Sequence, residues 1–293
     1  MKLKYKILSI IPDSIYLKIK YFYFFKKKLD LTSPRNYNEK IQWLKLYDRK
    51  EQYTKMVDKY EAKDYVSNLI GNKYIIPTIE IYNKFEDIDF NKLPNQFVIK
   101  CTHDSGSVII VDNKNSFNII DAKKYINMRM KLNYYYMHRE WPYKNIKPRI
   151  IIEKYMGNNI KDYKFFCFNG KPEIMYISEG SHTRKQYIAF YDMDYNRVPI
   201  GRKDYLNYKD NPKKPTKFEE MKKLASILSK DIPHVRVDFY EIDNSVYFGE
   251  LTFYTGSGFI PFDDEKWNTF LGNMIQINDK KGRLLWVRLI RIK

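Results

Sequence analysis

The chain has 293 residues, 44% of them hydrophobic, which is enough to bury the cores of two or three linked lobes and excludes a disordered segment. Its net charge of +18 suits nucleic acid, an anionic membrane surface or a polyanionic glycan. Joint enrichment in Lys, Asn, Ile, Tyr and Phe also reads as AT-rich coding, so the charge alone decides no function.

In chain order, the apolar run 5–11 is stopped by Pro12 and Asp13, with no cleavage-site pattern after it. No stretch approaches the roughly 18 apolar residues of a membrane span, so a soluble, cytoplasmic chain is expected. The run Lys26-Lys27-Lys28 reads as a solvated face, with peripheral contact at the inner membrane surface as the alternative. Helical spacing covers 38–48, with Ser33-Pro34 as start signal, and 53–69, closed by Gly71-Asn72. From Ile75 the period changes. Strands are predicted at 75–82, 96–102 and 108–111, the last two joined by the polar loop His103-Asp104-Ser105-Gly106-Ser107. A helix follows at 122–136, then a buried strand at 149–156 ending in the turn Gly157-Asn158-Asn159. Strands at 163–168, 173–178 and 186–192 are linked by turns at Asn169-Gly170 and near Gly180. A helix at 218–228, a hairpin of 235–242 with 246–253, and a mixed basic tail over 267–277 and 284–292 complete the chain. The expected division is a helical region 1–74, then 75–156, then 157–293. Cys101 and Cys167 each sit in an apolar run and predict buried free thiols, and His103, His138, His182 and His234 offer no structural zinc spacing.

The hairpin carries the most chemistry. Arg236 and Asp238 alternate with Val235, Val237 and Phe239, while Glu250 and Thr252 alternate with Leu251 and Phe253. A three-residue loop, Asp243-Asn244-Ser245, sets Asp238 opposite Glu250, Arg236 opposite Thr252, and Val237 opposite Leu251 on the buried face. A two-residue turn slips the register by one and separates the carboxylates. Two carboxylates about 5 Å apart repel unless a cation lies with them. That cation is either Mg²⁺, which takes one or two carboxylates plus water and phosphate oxygens, or the Arg236 guanidinium in a salt bridge.

Lys100 is a lone charge in an apolar strand, so its ammonium should meet an anion. The Ser105-Gly106-Ser107 loop supplies donors of the kind that cradle phosphate, although a plain turn explains it too and no Walker motif occurs. The strand ending at Glu153-Lys154-Tyr155-Met156 can offer edge backbone groups to an adenine ring or simply emerge at the surface.

In order, these pieces resemble the ATP-grasp superfamily and, more closely, its TupA-like branch. The resemblance is carried by Asn38-Glu39-Lys40-Ile41-Gln42-Trp43-Leu44-Lys45, Val57-Asp58-Lys59-Tyr60 and Phe97-Val98-Ile99-Lys100-Cys101-Thr102-His103-Asp104-Ser105-Gly106-Ser107. It continues in Asp162-Tyr163-Lys164-Phe165-Phe166-Cys167-Phe168-Asn169-Gly170 and the hairpin region 236–258. It implies an α+β fold of two lobes gripping ATP behind a helical N-terminal region, and an ATP-dependent carboxylate–amine ligase working through an acyl phosphate. By the same resemblance Lys100 binds nucleotide phosphates under a mobile loop of Ser105, Gly106 and Ser107. Glu153 and the backbone at Met156 meet adenine, and Asp162 meets ribose. Lys164 is a second phosphate contact, and Arg236 steadies the transferred phosphoryl group. Asp238 and Glu250 hold Mg²⁺. Thr252 stands where many relatives carry Asn, which puts the metal geometry in question. The branch is associated with capsule or teichuronopeptide synthesis, implying a uronic acid or amino acid as carboxylate and an anionic glycan as a contact.

Two rivals remain. A metal-dependent glycosyltransferase would use Asp192-Met193-Asp194, a DxD triplet that a turn also explains. A nucleic-acid binder would stack bases on the 27 Tyr and 18 Phe, but these fall at apolar-face positions, so nucleic acid is not expected.

Overall fold

The computed structural model describes residues 8–158, 160–180 and 186–277. The predicted tail element 284–292, His182 and the last residue of the turn at 157–159 lie outside them. By contacts the chain divides into two compact units, Met1–Arg49 with Asn159–Lys293, and Lys50–Asn158. The helices before residue 50 thus group with the C-terminal part, where a separate region 1–74 was expected.

In the first unit, α1 (Asp13–Phe25) buries Leu17 and Tyr21 against Leu29 and Phe259. Helix α2 (Tyr37–Tyr47) starts at Asn36, not at Ser33-Pro34. The Asn36 side chain accepts from the Glu39 N–H at 3.0 Å, and the Glu39 carboxylate accepts from the Asn36 N–H, a reciprocal cap that satisfies two orphan donors. Its buried face is polar for a physical reason: irregular backbone around it needs donors. Asn38 Nδ2 donates to the Ile260 carbonyl at 2.9 Å, Gln42 Nε2 to Gly258 at 2.9 Å, and Lys45 Nζ to Ser257 at 2.7 Å. Lys40 Nζ donates to Gly272 and Ile275 at 2.9 and 2.8 Å, at the end of a later helix. The Asn38-to-Lys45 motif therefore clamps the segment that follows the hairpin.

In the second unit the single helix expected at 53–69 is two, α3 (Gln52–Val57) and α4 (Glu61–Ile70). The break is at Asp58, whose carboxylate accepts from the N–H groups of Tyr60 and Glu61 and so competes with the helical ladder. Gly71, at φ 104°, ends α4 as predicted. Helices α5 (Ile119–Met130) and α6 (Tyr135–His138) likewise replace one predicted helix. Strands β1 (Thr78–Tyr82), β2 (Phe97–Cys101), β3 (Val108–Val111) and β4 (Ile150–Lys154) form an antiparallel sheet in the order β1-β4-β2-β3. Phe97, Ile99, Cys101, Ile150 and Ile152 pack there with Ala122 and Ile126 of α5.

The remaining strands belong to the first unit: β5 (Asp162–Phe168), β6 (Lys171–Glu179), β7 (Tyr187–Asp192), β8 (Arg197–Val198), β9 (Leu206–Asn207), β10 (His234–Ile242) and β11 (Ser245–Thr252). They form one sheet in the order β11-β10-β5-β6-β7-β8, with β9 beside β7. Helix α7 (Phe218–Leu228) buries Met221, Leu224, Ala225 and Leu228, and α8 (Glu265–Met274) follows the hairpin. Both cysteines are free and buried, and burial pushes the thiols up, Cys101 to about 11 and Cys167 to about 12, so neither is a nucleophile near neutral pH. Among the described residues no helix is long and apolar enough to cross a membrane.

Candidate functional site

The β10–β11 turn has two residues, not three. Ile242 pairs with Ser245, and Asp243 and Asn244 both take positive φ, 49° and 58°, the left-handed pair that matches strand twist in a tight hairpin. The carboxylates are nevertheless opposite each other. Phe239 pairs with Phe248 but Asp238 pairs with Glu250, so Gly249 is the extra residue of a bulge that restores the register. Arg236–Thr252 and Val237–Leu251 pair as predicted. A signal for this lay in the sequence: the buried residues Val246 and Phe248 are even-numbered, whereas Leu251 and Phe253 are odd, and the parity changes at a glycine.

Strand β5 extends the row. Lys164 pairs with Asp238, so Lys164, Asp238 and Glu250 lie side by side across three strands. Lys164 Nζ, expected at a phosphate, is 2.6 Å from Asp238 Oδ2 and 3.2 Å from Asp162 Oδ1. Arg236 Nε and Nη2 hold the two oxygens of Asp238 at 2.6 and 2.7 Å, and Nη2 also reaches Glu250 Oε1 and Thr252 Oγ1, each at 3.0 Å. The guanidinium is thus the cation joining the two carboxylates here. Thr252 donates to Glu250 Oε1 at 3.1 Å, so its hydroxyl steadies Glu250.

Burial alone would raise Asp238, but Arg236 and Lys164 outweigh it and hold the carboxyl below the usual range. Burial likewise opposes the charge on Lys164, yet Asp238 and Asp162 keep its pKa well above the ordinary value. Asp162 is the loser: burial pushes its carboxyl up despite Lys164. Arg236 and Lys164 face Asp162, Asp238 and Glu250, a cluster one positive charge short.

That shortage and the all-oxygen donor set fit a hard divalent cation such as Mg²⁺. Glu250, with 47% of its side chain exposed, is the open carboxylate, whereas Asp238 is 1% exposed and already shared. Among the described residues no three His, Cys, Asp or Glu form a self-sufficient metal cage. A Mg²⁺ that completes its shell with water and phosphate oxygens needs none.

The second unit carries the opposite imbalance. Val98 pairs with Glu153 and Lys100 with Ile151, so Lys100 and Glu153 are diagonal neighbours on one face of the sheet. Lys100 Nζ is 2.6 Å from Glu153 Oε2. Lys63 of α4 forms an ion pair with Glu153 Oε1 and donates to the Ile76 carbonyl at 2.6 Å. The anion expected for Lys100 is therefore Glu153, the residue expected at adenine. Burial would raise Glu153, but Lys100 and Lys63 override it and bring the carboxyl down to about 2. Lys63 itself is pushed down by burial, which outweighs its attraction to Glu153. Sequence reasoning missed Lys63; the signal available was a lysine beside the apolar pair Ala62 and Val66, with Lys59 and Ser67 rather than acids four residues away.

The loop after β2 is tied down at its base. Ser107 is buried, accepting from the Cys101 N–H at 3.1 Å and donating to Asp104, which Arg129 Nε holds at 2.6 Å. Tyr125 donates to the Gly106 carbonyl at 3.1 Å. Only Ser105 and Gly106 of the expected trio are exposed, with Gly106 at φ 90°. Met156 lies half-buried just past the end of β4.

The DxD triplet is a turn. Asp192 accepts from the N–H groups of Asp194 and Asn196 at 3.0 and 2.7 Å and from Asn196 Nδ2 at 3.0 Å, which occupies both oxygens in capping. Aromatic residues such as Phe97, Phe165, Phe166, Tyr176, Phe190 and Tyr191 are core, not a stacking surface.

Comparison with solved structures finds partial likenesses. The D-alanine–D-alanine ligase of Bacillus anthracis, complexed with ATP, matches 67% of this chain at 19% identity and a TM-score of 0.38. The Helicobacter pylori D-alanine–D-alanine ligase matches 81% of this chain and 68% of its own, at 18% identity and a TM-score of 0.45. The L-amino acid ligase of Bacillus licheniformis matches 82% and 54%, at 11% identity and a TM-score of 0.42. The chain spans about half, 53%, of the length of the first of these. No curated protein sequence matches it. The family model for TupA-like ATP-grasp proteins matches residues 39–276, a span that includes all but the first two residues of the clamp helix α2, both charge clusters and the hairpin. The chain therefore belongs to the TupA-like ATP-grasp family and has its α+β ATP-grasp fold.

Proposed function

We propose that the chain is an ATP-dependent carboxylate–amine ligase. The observation that carries this reading is the row Lys164–Asp238–Glu250, buried at one end, open at the other, and one positive charge short. Lys100 and Lys63, two cations on one carboxylate, are the phosphate-binding groups, with Ser105 and Gly106 offering backbone donors. The backbone at Met156 takes the adenine edge, and Asp162 the ribose. Asp238 and Glu250 hold Mg²⁺, with Thr252 orienting Glu250. The metal, when bound, supplies charge neutralisation at the transferred phosphoryl group.

In the reaction a substrate carboxylate oxygen attacks the γ-phosphorus of ATP, ADP leaves, and an acyl phosphate forms. The amine then attacks the acyl carbon, phosphate leaves, the amine loses a proton, and an amide results. Arg236, fixed on Asp238 and reaching Glu250, is placed to steady the transferred phosphoryl oxygens. No side-chain nucleophile is needed, in keeping with two cysteines held as thiols. We further propose a uronic acid or amino acid as the carboxylate, in capsular or teichuronopeptide synthesis, with the reaction in the cytoplasm, where ATP is supplied.

Calorimetry of ATP binding with and without Mg²⁺ tests this, with Lys100→Ala and Glu250→Gln as variants and circular dichroism as the folding control. Mg²⁺ should tighten ATP binding in the native chain, Lys100→Ala should weaken binding, and Glu250→Gln should remove the Mg²⁺ effect. Folded variants that bind ATP unchanged would overturn the assignment. Release of ADP with candidate acids and amines then identifies the substrates.

A further inference from the structure

Helix α1 is apolar on two sides. Leu17 and Tyr21 face the core, and Phe24 stacks on Phe259 with ring centroids 4.8 Å apart, which fixes the helix to the fold. Ile15, Ile19, Phe22 and Tyr23, at i, i+4, i+7 and i+8, form a second stripe on the far side, exposed by 50, 63, 54 and 70%. Single exposed apolar residues are ordinary, but a stripe of four on one helix face marks a contact surface.

Lysines predominate along the border of the stripe. Lys18, Lys26, Lys27 and Lys28 are exposed around it; Lys27 is paired with the exposed Glu265 at 3.3 Å, and the acid within the helix, Asp13, is paired with Arg49 at 2.6 Å. Lys26 Nζ lies 5.2 Å from the centre of the Tyr23 ring, which sets an amphipathic ring and a cation at the same edge. We propose that α1 docks the chain on an anionic phospholipid surface, with the stripe entering the headgroup–acyl boundary and the lysines meeting lipid phosphates.

Charge complementarity selects this occupant. A second copy of the chain would bring the same lysines face to face, and like charges across an interface are unfavourable. The C-terminal segment 278–293 is itself basic and meets the same objection. A polyanionic glycan would satisfy the lysines but leave Ile15, Ile19 and Phe22 in water. A bilayer with acidic headgroups answers both. The inference does not rest on the ligase reading, because α1 contributes no residue to either charge cluster.

The test is co-sedimentation of the full chain with vesicles of phosphatidylglycerol and phosphatidylcholine, against vesicles of phosphatidylcholine alone. Binding should require the anionic lipid and weaken with salt. Ile19→Glu with Phe22→Glu, and separately Lys26→Glu with Lys28→Glu, should each reduce binding about tenfold or more, since one basic residue at such a surface is worth about fivefold. Melting temperature and ATP affinity report whether each variant folds. Absence of binding to anionic vesicles, equal binding to neutral ones, or folded variants that bind as well as the native chain would each overturn the proposal. So would sedimentation equilibrium showing a dimer that Ile19→Glu separates while vesicle binding stays unchanged, which assigns the stripe to self-association.

Discussion

Asp238 faces Glu250 across the β10–β11 ladder because Gly249 is an extra residue in β11. A Cβ at Gly249 would lie 3.1 Å from the Asp238 carbonyl oxygen and 3.2 Å from the Tyr240 ring, so the bulge closes tightly around the glycine. Gly249→Val should cost about 1–3 kcal/mol, seen as a lower melting temperature. It should also blunt the effect of Mg²⁺ on ATP binding, because the strain falls on the residue that positions both carboxylates. A valine variant with native stability and native Mg²⁺ response would show that the bulge is not constrained.

Thr252 bridges Arg236 and Glu250 through its hydroxyl. Thr252→Ala removes that strut and leaves the fold intact, since the side chain is only half-buried. The concentration of Mg²⁺ giving half-maximal ATP binding should rise roughly tenfold, in the range seen when the partner of a metal-ligating group is lost. Titration of Mg²⁺ at fixed ATP measures it.

Lys63 shares Glu153 with Lys100 and is held in place by the Ile76 carbonyl. As a proposed phosphate-binding group, Lys63 replaced by Met (Lys63→Met) loses a charge-assisted hydrogen bond, and ATP affinity should fall about 10–100-fold. Calorimetry decides: an unchanged Kd would confine Lys63 to supporting Glu153.

Glu153 gives the second unit an acid sensitivity. Its carboxyl sits at about 2 against an ordinary value of 4.5, so its stabilising charge is fully present above about 4.5 and is lost as pH falls through 2. The native chain should lose stability across that window. Glu153→Gln should be less stable at neutral pH and show a flatter dependence there, measured as melting temperature against pH.

Lys164 neutralises two buried carboxylates at once. Lys164→Met leaves Asp162 without its ion-pair partner and Asp238 dependent on Arg236. Removing one member of a buried pair typically costs about 3–5 kcal/mol, so urea unfolding should shift by that order. A shift below about 1 kcal/mol would mean that water or Arg236 takes over the charge.

Local periodicity placed most elements: the pattern at 108–111 and 218–228 matches β3 and α7, and the alternation around Arg236, Asp238, Glu250 and Thr252 already assigned them to one face. Those are consequences of backbone period and side-chain size, which act within a few residues. The sequence alone also determined that Asp238 and Glu250 require a cation, because facing carboxylates repel, and that Lys100 requires an anion, because an unpaired charge in an apolar strand is costly. Which groups answer was decided only by the tertiary structure. Arg236 reaches both carboxylates, Lys164 arrives from β5 some 70 residues earlier, 74 for the Lys164–Asp238 bond, and Lys63 meets Glu153 from a separate helix. The two-residue turn with its compensating bulge, and the split helices at Asp58, likewise follow from side chains competing for backbone partners. Such pairings depend on sheet order and on distances across the fold, quantities that the one-dimensional pattern does not contain.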